Sequence, residues 1–238
     1  MTNICLIIAI IIIIIFIIVS VRYYQHAIKY PNFRVGKKKI ISEIYDELNT
    51  GDIILFAYMG TNVTNTIFSH TYYTHVGLIV RKGDILYISE TNPAFPYMPK
   101  NPNKKEKVSN DEICTNNGVD LIPLLPRLKY STGNYYILQL SKSLDDKREQ
   151  LIQKELDLRY NYPYPTKTQA IISLFGAKIK PIHCWQHVTH LLNSINLLPP
   201  EFSNLGVVEV CKKIANISNI KLNDNYYYKD VIQILYDI

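Results

Sequence analysis

The sequence predicts an α+β domain, an antiparallel sheet packed on helices, preceded by one amino-terminal transmembrane helix. Three observations carry this. The stretch "NICLIIAIIIIIIFIIVSV" (3–21) contains no charged residue. Residues 49–141 hold short β-rich runs set between turn residues. Residues 143–198 change to apolar side chains at helical spacing. About 210 residues remain beyond the apolar stretch, which suits one domain better than two.

The apolar stretch covers residues 1–21 with its flank. At a 1.5 Å rise its uncharged part spans about 28 Å, close to the ~30 Å hydrocarbon core. A signal peptide is the rival reading, but the segment lacks an early Lys or Arg and no A-x-A site follows. Residues 22–40 read as a basic linker, with Arg22, Lys29, Arg34, Lys37, Lys38 and Lys39 all on the carboxyl-terminal side of the span. The positive-inside rule then predicts a single-pass membrane protein whose domain 41–238 lies in the cytosol or inside a virion. The membrane bilayer is the first expected partner.

Along the domain, "ISEIYDEL" (41–48) has apolar residues at 41, 44, 45 and 48, as in a short amphipathic helix. A turn at Asn49–Gly51 leads to a buried strand from Ile53. "THVGLIVRKGDILYISE" (74–90) is two β-rich runs around Lys82-Gly83-Asp84, a hairpin. Residues 91–107 form a proline-rich loop, "GVDLIPLLPRL" is short and extended, and "GNYYILQLS" (133–141) is another strand. "SLDDKREQLIQKELDL" (143–158) is a helix capped by Ser143. "AIISLFG" (170–176) is a short apolar helix. "CWQHVTHLLNSINLL" (184–198) is a helix with Val188, Leu191, Leu192 and Ile195 on one stripe, ending before Pro199-Pro200.

The +6 formal charge gathers near the apolar stretch, and there is no zinc finger, RNA-binding signature or long basic helix, so nucleic acid is not an expected partner. Four cysteines without a CxxC give no disulfide framework and suit reduced thiols.

Half of the six histidines lie in "PIHCWQHVTHLL" (181–192). Cys184 follows Pro181, where the helix is expected to begin, so unpaired N–H groups and the positive dipole end lie near its sulfur. A helix start and a nearby imidazolium lower the pKa of a free cysteine from about 8.5, and the thiolate is the nucleophile. The same N–H groups can hold an oxyanion. His187, one turn on, is placed to lower the thiol pKa without being the base. A metal site is the rival reading: His183, His187 and His190 are at i, i+4 and i+7 beside Cys184, a donor set that suits zinc. No second ligand cluster is visible and HExxH lacks its glutamate, so no metal is expected. Cys184 as an inert core thiol is the remaining alternative.

The order "GDIILF", "THVGLIV", "YISE", "YNYPYP" and "HCWQHVTHLL", over roughly residues 50–195, resembles the circularly permuted branch of the papain-like superfamily. That branch holds the permuted NlpC/P60 proteins, including YiiX-type proteins and poxvirus virion proteins; the lecithin:retinol acyltransferase group is a related branch. The resemblance implies a permuted papain-like (NlpC/P60) fold. It also implies that His75 of "THVGLIV" is the general base and that Glu90 of "YISE" orients it. Independently, a hairpin turning at Lys82–Asp84 places residue 75 almost opposite residue 90. His70 is a substitute base. His183 departs from the aromatic or small residue expected before the nucleophile. Tyr162 and Tyr164 are candidate cleft residues, and Trp185 is a candidate substrate contact with core packing as its other reading.

The expected activity is that of a membrane-anchored cysteine hydrolase or acyltransferase: catalytic Cys184, His75 and Glu90, an acyl-enzyme, no cofactor, and a lipid or a peptide or protein as substrate. The alternative is an inactive structural or partner-binding virion membrane protein of the same fold.

Overall fold

The computed structural model describes residues 2–24, 37–57, 73–92, 118–129, 133–160, 162–166, 169, 183–202, 205 and 207–236. The expectations placed on His70, on Cys114, on the helix at 170–176 and on Pro181 lie outside the described residues.

Seven strands form one sheet: β1 (Lys37–Ile40), β2 (Ile53–Ala57), β3 (His75–Lys82), β4 (Ile85–Asn92), β5 (Gly118–Pro123), β6 (Asn134–Leu138) and β7 (Ile232–Leu235), in the order β1-β7-β6-β2-β3-β4-β5. The helices are α1 (Thr2–Tyr24), α2 (Ile41–Ile44), α3 (Leu124–Lys129), α4 (Asp146–Arg159), α5 (Cys184–Ser194) and α6 (Val207–Ala215). The α+β class therefore stands. The sheet is mixed rather than antiparallel, because β1 runs parallel to β7. Lys37–Ile40, expected in the linker, are an edge strand of that sheet.

The strands alternate their apolar side chains between two cores. Ile53, Leu55, Val76, Leu78, Tyr136 and Leu138 face one core, which α4, α5 and α6 complete with Ile152, Val188, Leu191 and Ile214. Ile54, Phe56, Ile79, Ile88, Tyr135 and Ile137 face the other, closed by Ile41 and Ile44 of α2 and by Leu124 and Leu128 of α3. Each such side chain contributes roughly 1.5–3 kcal/mol when fully buried, and the two-sided burial explains why β2 reads as a continuous apolar run.

Asp52 ties the start of β2 to its surroundings. Its carboxylate accepts the Asn49 N–H at 2.9 Å and the Leu140 N–H at 2.7 Å. Burial pushes its pKa up to about 6 against these bonds and against the positive charges of Lys229 and Arg81.

The helix that follows β6 is capped by Asp145, whose side chain accepts the Arg148 N–H at 2.9 Å, and not by Ser143. Helix α5 ends earlier than its apolar stripe suggested. Asn196 has φ +53°, the Leu197 N–H reaches Leu192 O at 3.0 Å, and the Asn196 N–H reaches Asn193 O at 2.9 Å. This is a Schellman closure with Asn in the left-handed position.

In α1 the side chains of Ile10–Ile18 are exposed. Among the described residues no helix is long and apolar enough to cross a membrane. That finding overturns the expected single-pass membrane location.

Candidate active site

The hairpin β3–β4 carries two of the candidate residues. Its loop is Gly83-Asp84, with Gly83 at φ +58° and Lys82 paired with Ile85. The turn is thus tighter than the sequence suggested. Continuing the register from Leu78↔Ser89 puts position 92, not 90, opposite His75. Glu90 is the diagonal neighbour on the same face, and it reaches the ring all the same: His75 Nε2 lies 2.7 Å from Glu90 Oε2. Both are buried, Glu90 completely.

Position 77 of β3 leaves no room for a side chain. A Cβ there would stand 2.4 Å from Ile88 Cγ2 and 3.2 Å from Ser89 O.

Arg127 of α3 completes the carboxylate's surroundings. Its Nε is 2.5 Å from Glu90 Oε1 and its Nη2 is 3.1 Å from Oε2, a two-point grip on a side chain with no exposed surface. Burial alone would raise the Glu90 pKa, but the Arg127 charge and the His75 hydrogen bond hold it well below the usual carboxylate range. Glu90 is therefore an anion that does not take up a proton from His75. Arg127 was not anticipated from the sequence. Its signal was one arginine inside the apolar run "LIPLLPRL", which a buried ion pair explains.

Cys184 is the first residue of α5, with His183 as the N-cap. Gln186 Oε1 accepts the His183 N–H at 3.3 Å, as in a capping box. The first-turn N–H groups have no carbonyl partner within the helix. Cys184 and His75 each open their element, and Cys184 lies near enough for its charge to act on the His75 ring. Burial alone would lower the His75 pKa. The charge of Cys184, followed by the hydrogen bond and charge of Glu90, raises it well above 6.5. Phe56 packs on the imidazole at 5.2 Å between ring centroids.

The structure brings Tyr164 to this cluster and leaves Tyr162 and Trp185 out of it. The Tyr164 ring meets the His183 ring edge-on at 5.9 Å. Burial pushes the Tyr164 hydroxyl up. Tyr162 works through its backbone: its carbonyl accepts the Val119 N–H at 2.9 Å, while its side chain is exposed. Gly118 permits that contact, since a Cβ there would lie 2.0 Å from Tyr162 O. Trp185 is 4% exposed and belongs to the core under α5.

The histidine helix does not form a metal cluster: among the described residues no group of three or more His, Cys, Asp or Glu converges on one point. His190 is exposed. His183 is kept neutral by burial, which lowers its pKa to about 4. His187, expected as an imidazolium beside the thiol, is fully buried, and burial with the nearby positive charges of Arg159 and His190 lowers it to about 3. Its Nε2 is 2.7 Å from Ser89 Oγ.

No protein-family profile matches the chain, and no curated protein does. Among solved structures the chain is similar to the crystal structure of the metalloprotein yiiX from Escherichia coli O157:H7. The identity is 16%, the TM-score is 0.43, and the match covers 80% of this chain and 98% of that one. The α+β layout described above is consistent with a YiiX-like fold.

Proposed function

We propose that the chain is a thiol hydrolase or acyltransferase of permuted papain-like type, with Cys184 as nucleophile, His75 as acid–base group and Glu90 as the residue that orients it. One observation carries the reading: a buried imidazole bonded to a buried carboxylate, with the cysteine that opens a helix as its other electrostatic neighbour. Glu90 occupies Nε2, which leaves Nδ1 as the ring nitrogen for the sulfur.

The Cys184 sulfur attacks an acyl carbon, and the carbonyl electron pair moves to oxygen, where first-turn N–H groups of α5, that of Cys184 among them, receive it. His75, protonated through its partnership with Cys184 and Glu90, gives its proton to the leaving group as the tetrahedral adduct collapses to a thioester. Water or another acceptor then attacks the thioester. Neutral His75 takes the acceptor's proton, and the thiolate departs. Glu90 stays ionised throughout because Arg127 holds it. The residues named supply every group these steps use. Substrates of this chemistry are peptide amides and fatty acyl esters or thioesters.

The test is iodoacetamide labelling of each cysteine in the full chain from pH 5 to 9, read by mass spectrometry, followed by peptide, thioester and phospholipid substrates. Cys184 is expected to label fast below pH 8 and to lose that rate in His75→Ala. If Cys184 labels no faster than Cys211, the catalytic reading fails and a structural, partner-binding role takes its place.

A further inference from the structure

The site contains a second buried imidazole that the proposed chemistry does not use. His187 lies one helical turn beyond Cys184, and neither His187 nor Ser89 has any exposed surface. The 2.7 Å bond between them joins α5 to β4 at the residue directly before Glu90. It crosses from the helix that carries the proposed nucleophile to the strand that carries the proposed orienting carboxylate.

The choice of histidine there is not explained by packing. Cys184, His187, Val188 and Leu191 form one buried stripe of α5, against the core that also holds Leu78 and Val80 of β3. A leucine would fill such a position without desolvating a polar ring. Among the described residues His187 Nδ1 moreover has no hydrogen-bond partner, so the ring is an incompletely satisfied buried polar group. What it supplies that leucine cannot is direction. Apolar contacts tolerate a small rotation or slide of a helix, whereas one short bond at a fixed ring atom does not. Its low basicity also removes it as a general base at neutral pH, since burial and the charges of Arg159 and His190 keep it neutral despite Glu90.

We infer that Ser89 and His187 are positioning residues: their bond fixes the rotation and depth of the first turn of α5, and so sets the Cys184 sulfur against His75. This rests on the proposed function, because positioning matters only if Cys184 reacts. A misplacement near 1 Å costs on the order of 100-fold in rate for a reaction that depends on alignment.

The experiment is the labelling profile of Cys184 with iodoacetamide, pH 5 to 9, in full-length wild type, Ser89→Ala, His187→Phe and His187→Gln, with melting temperatures alongside. Phenylalanine keeps the ring volume without the bond. Glutamine returns an amide near the position of Nε2. The inference expects Ser89→Ala and His187→Phe to slow Cys184 labelling about 10- to 100-fold and to alter its pH profile. It expects Cys211 to stay slow, and His187→Gln to recover part of the rate. Reactive wild-type Cys184 with an unchanged profile in Ser89→Ala and His187→Phe would overturn the positioning role and leave the proposed function standing. Equal gains in Cys211 labelling would mean that α5 has merely come loose, and would also overturn it. Unreactive Cys184 in the wild type would remove the proposed function, and this inference with it.

Discussion

Arg127 and Glu90 are in direct contact: the guanidinium spans both carboxylate oxygens, at 2.5 and 3.1 Å, and neither side chain is more than 2% exposed. The guanidinium also lies 4.6 Å over the Phe56 ring. This pair makes Glu90 a fixed charge, and His75 orients on it.

Arg127→Met is therefore expected to destabilise the fold by about 3–5 kcal/mol, because it leaves a buried carboxylate with one partner fewer. For a domain of this size that corresponds to a fall in melting temperature on the order of 10 °C. Arg127→Met combined with Glu90→Gln should recover much of the loss, since no uncompensated charge remains. Calorimetry on the single and double variants decides; a double variant no more stable than the single would sink the argument.

The His75 imidazolium is held up by Cys184 first among its favourable partners, ahead of Glu90. Cys184→Ala should lower the His75 pKa toward 6.5, measured by NMR titration of the ring, with little change in fold because a small side chain is removed. In the wild type the folded value lies above the unfolded one. The stability from this ring is thus fully present below about pH 6.5 and is lost as pH rises through the higher folded value. An unshifted ring in Cys184→Ala would mean that Cys184 does not act on His75.

Asp52 gives a pH dependence in a different window. Burial holds its carboxyl up at about 6 in the fold, against about 3.8 for an exposed aspartate. The folded state therefore binds the proton more tightly, and stability falls as pH rises from about 4 to about 6. The loss is on the order of 3 kcal/mol. Urea melts of wild type and Asp52→Asn across that range test this; the slope from this group should vanish in the variant. A slope that survives the substitution assigns it elsewhere.

Gly77→Ala should cost about 1–3 kcal/mol, the usual range for overpacking, because its methyl group meets Ile88 and the Ser89 carbonyl. Since these residues lead into Glu90, labelling of Cys184 should also slow. A variant as stable and as reactive as wild type would show that β3 and β4 separate freely.

Much of this site was legible along the chain, and the gaps have physical reasons. The hairpin turn revealed that His75 and Glu90 are neighbours, because register follows from turn position; the two-residue loop moved the true opposite partner to 92 without separating the pair. Arg127 escaped because its partner is 37 residues away and two prolines in "IPLLPR" disguised the short helix α3. His187 read as a charged neighbour of the thiol because histidine suits either environment. Its spacing from Cys184, Val188 and Leu191 was nonetheless that of a buried stripe. Strand β1 was invisible because "KKKI" has no alternation. Its pairing comes entirely from β7.

That last strand has a consequence for how the chain acquires its shape. β7 lies between β1 and β6, with Lys37 beside Ile232, 195 positions further along. During synthesis the first strand of the sheet has no neighbour until nearly the whole domain has left the ribosome. The sheet from β2 to β6 can assemble earlier, but β1 must wait, and closing so long a loop is slow. The three lysines of β1 would keep that unpaired edge soluble while it waits.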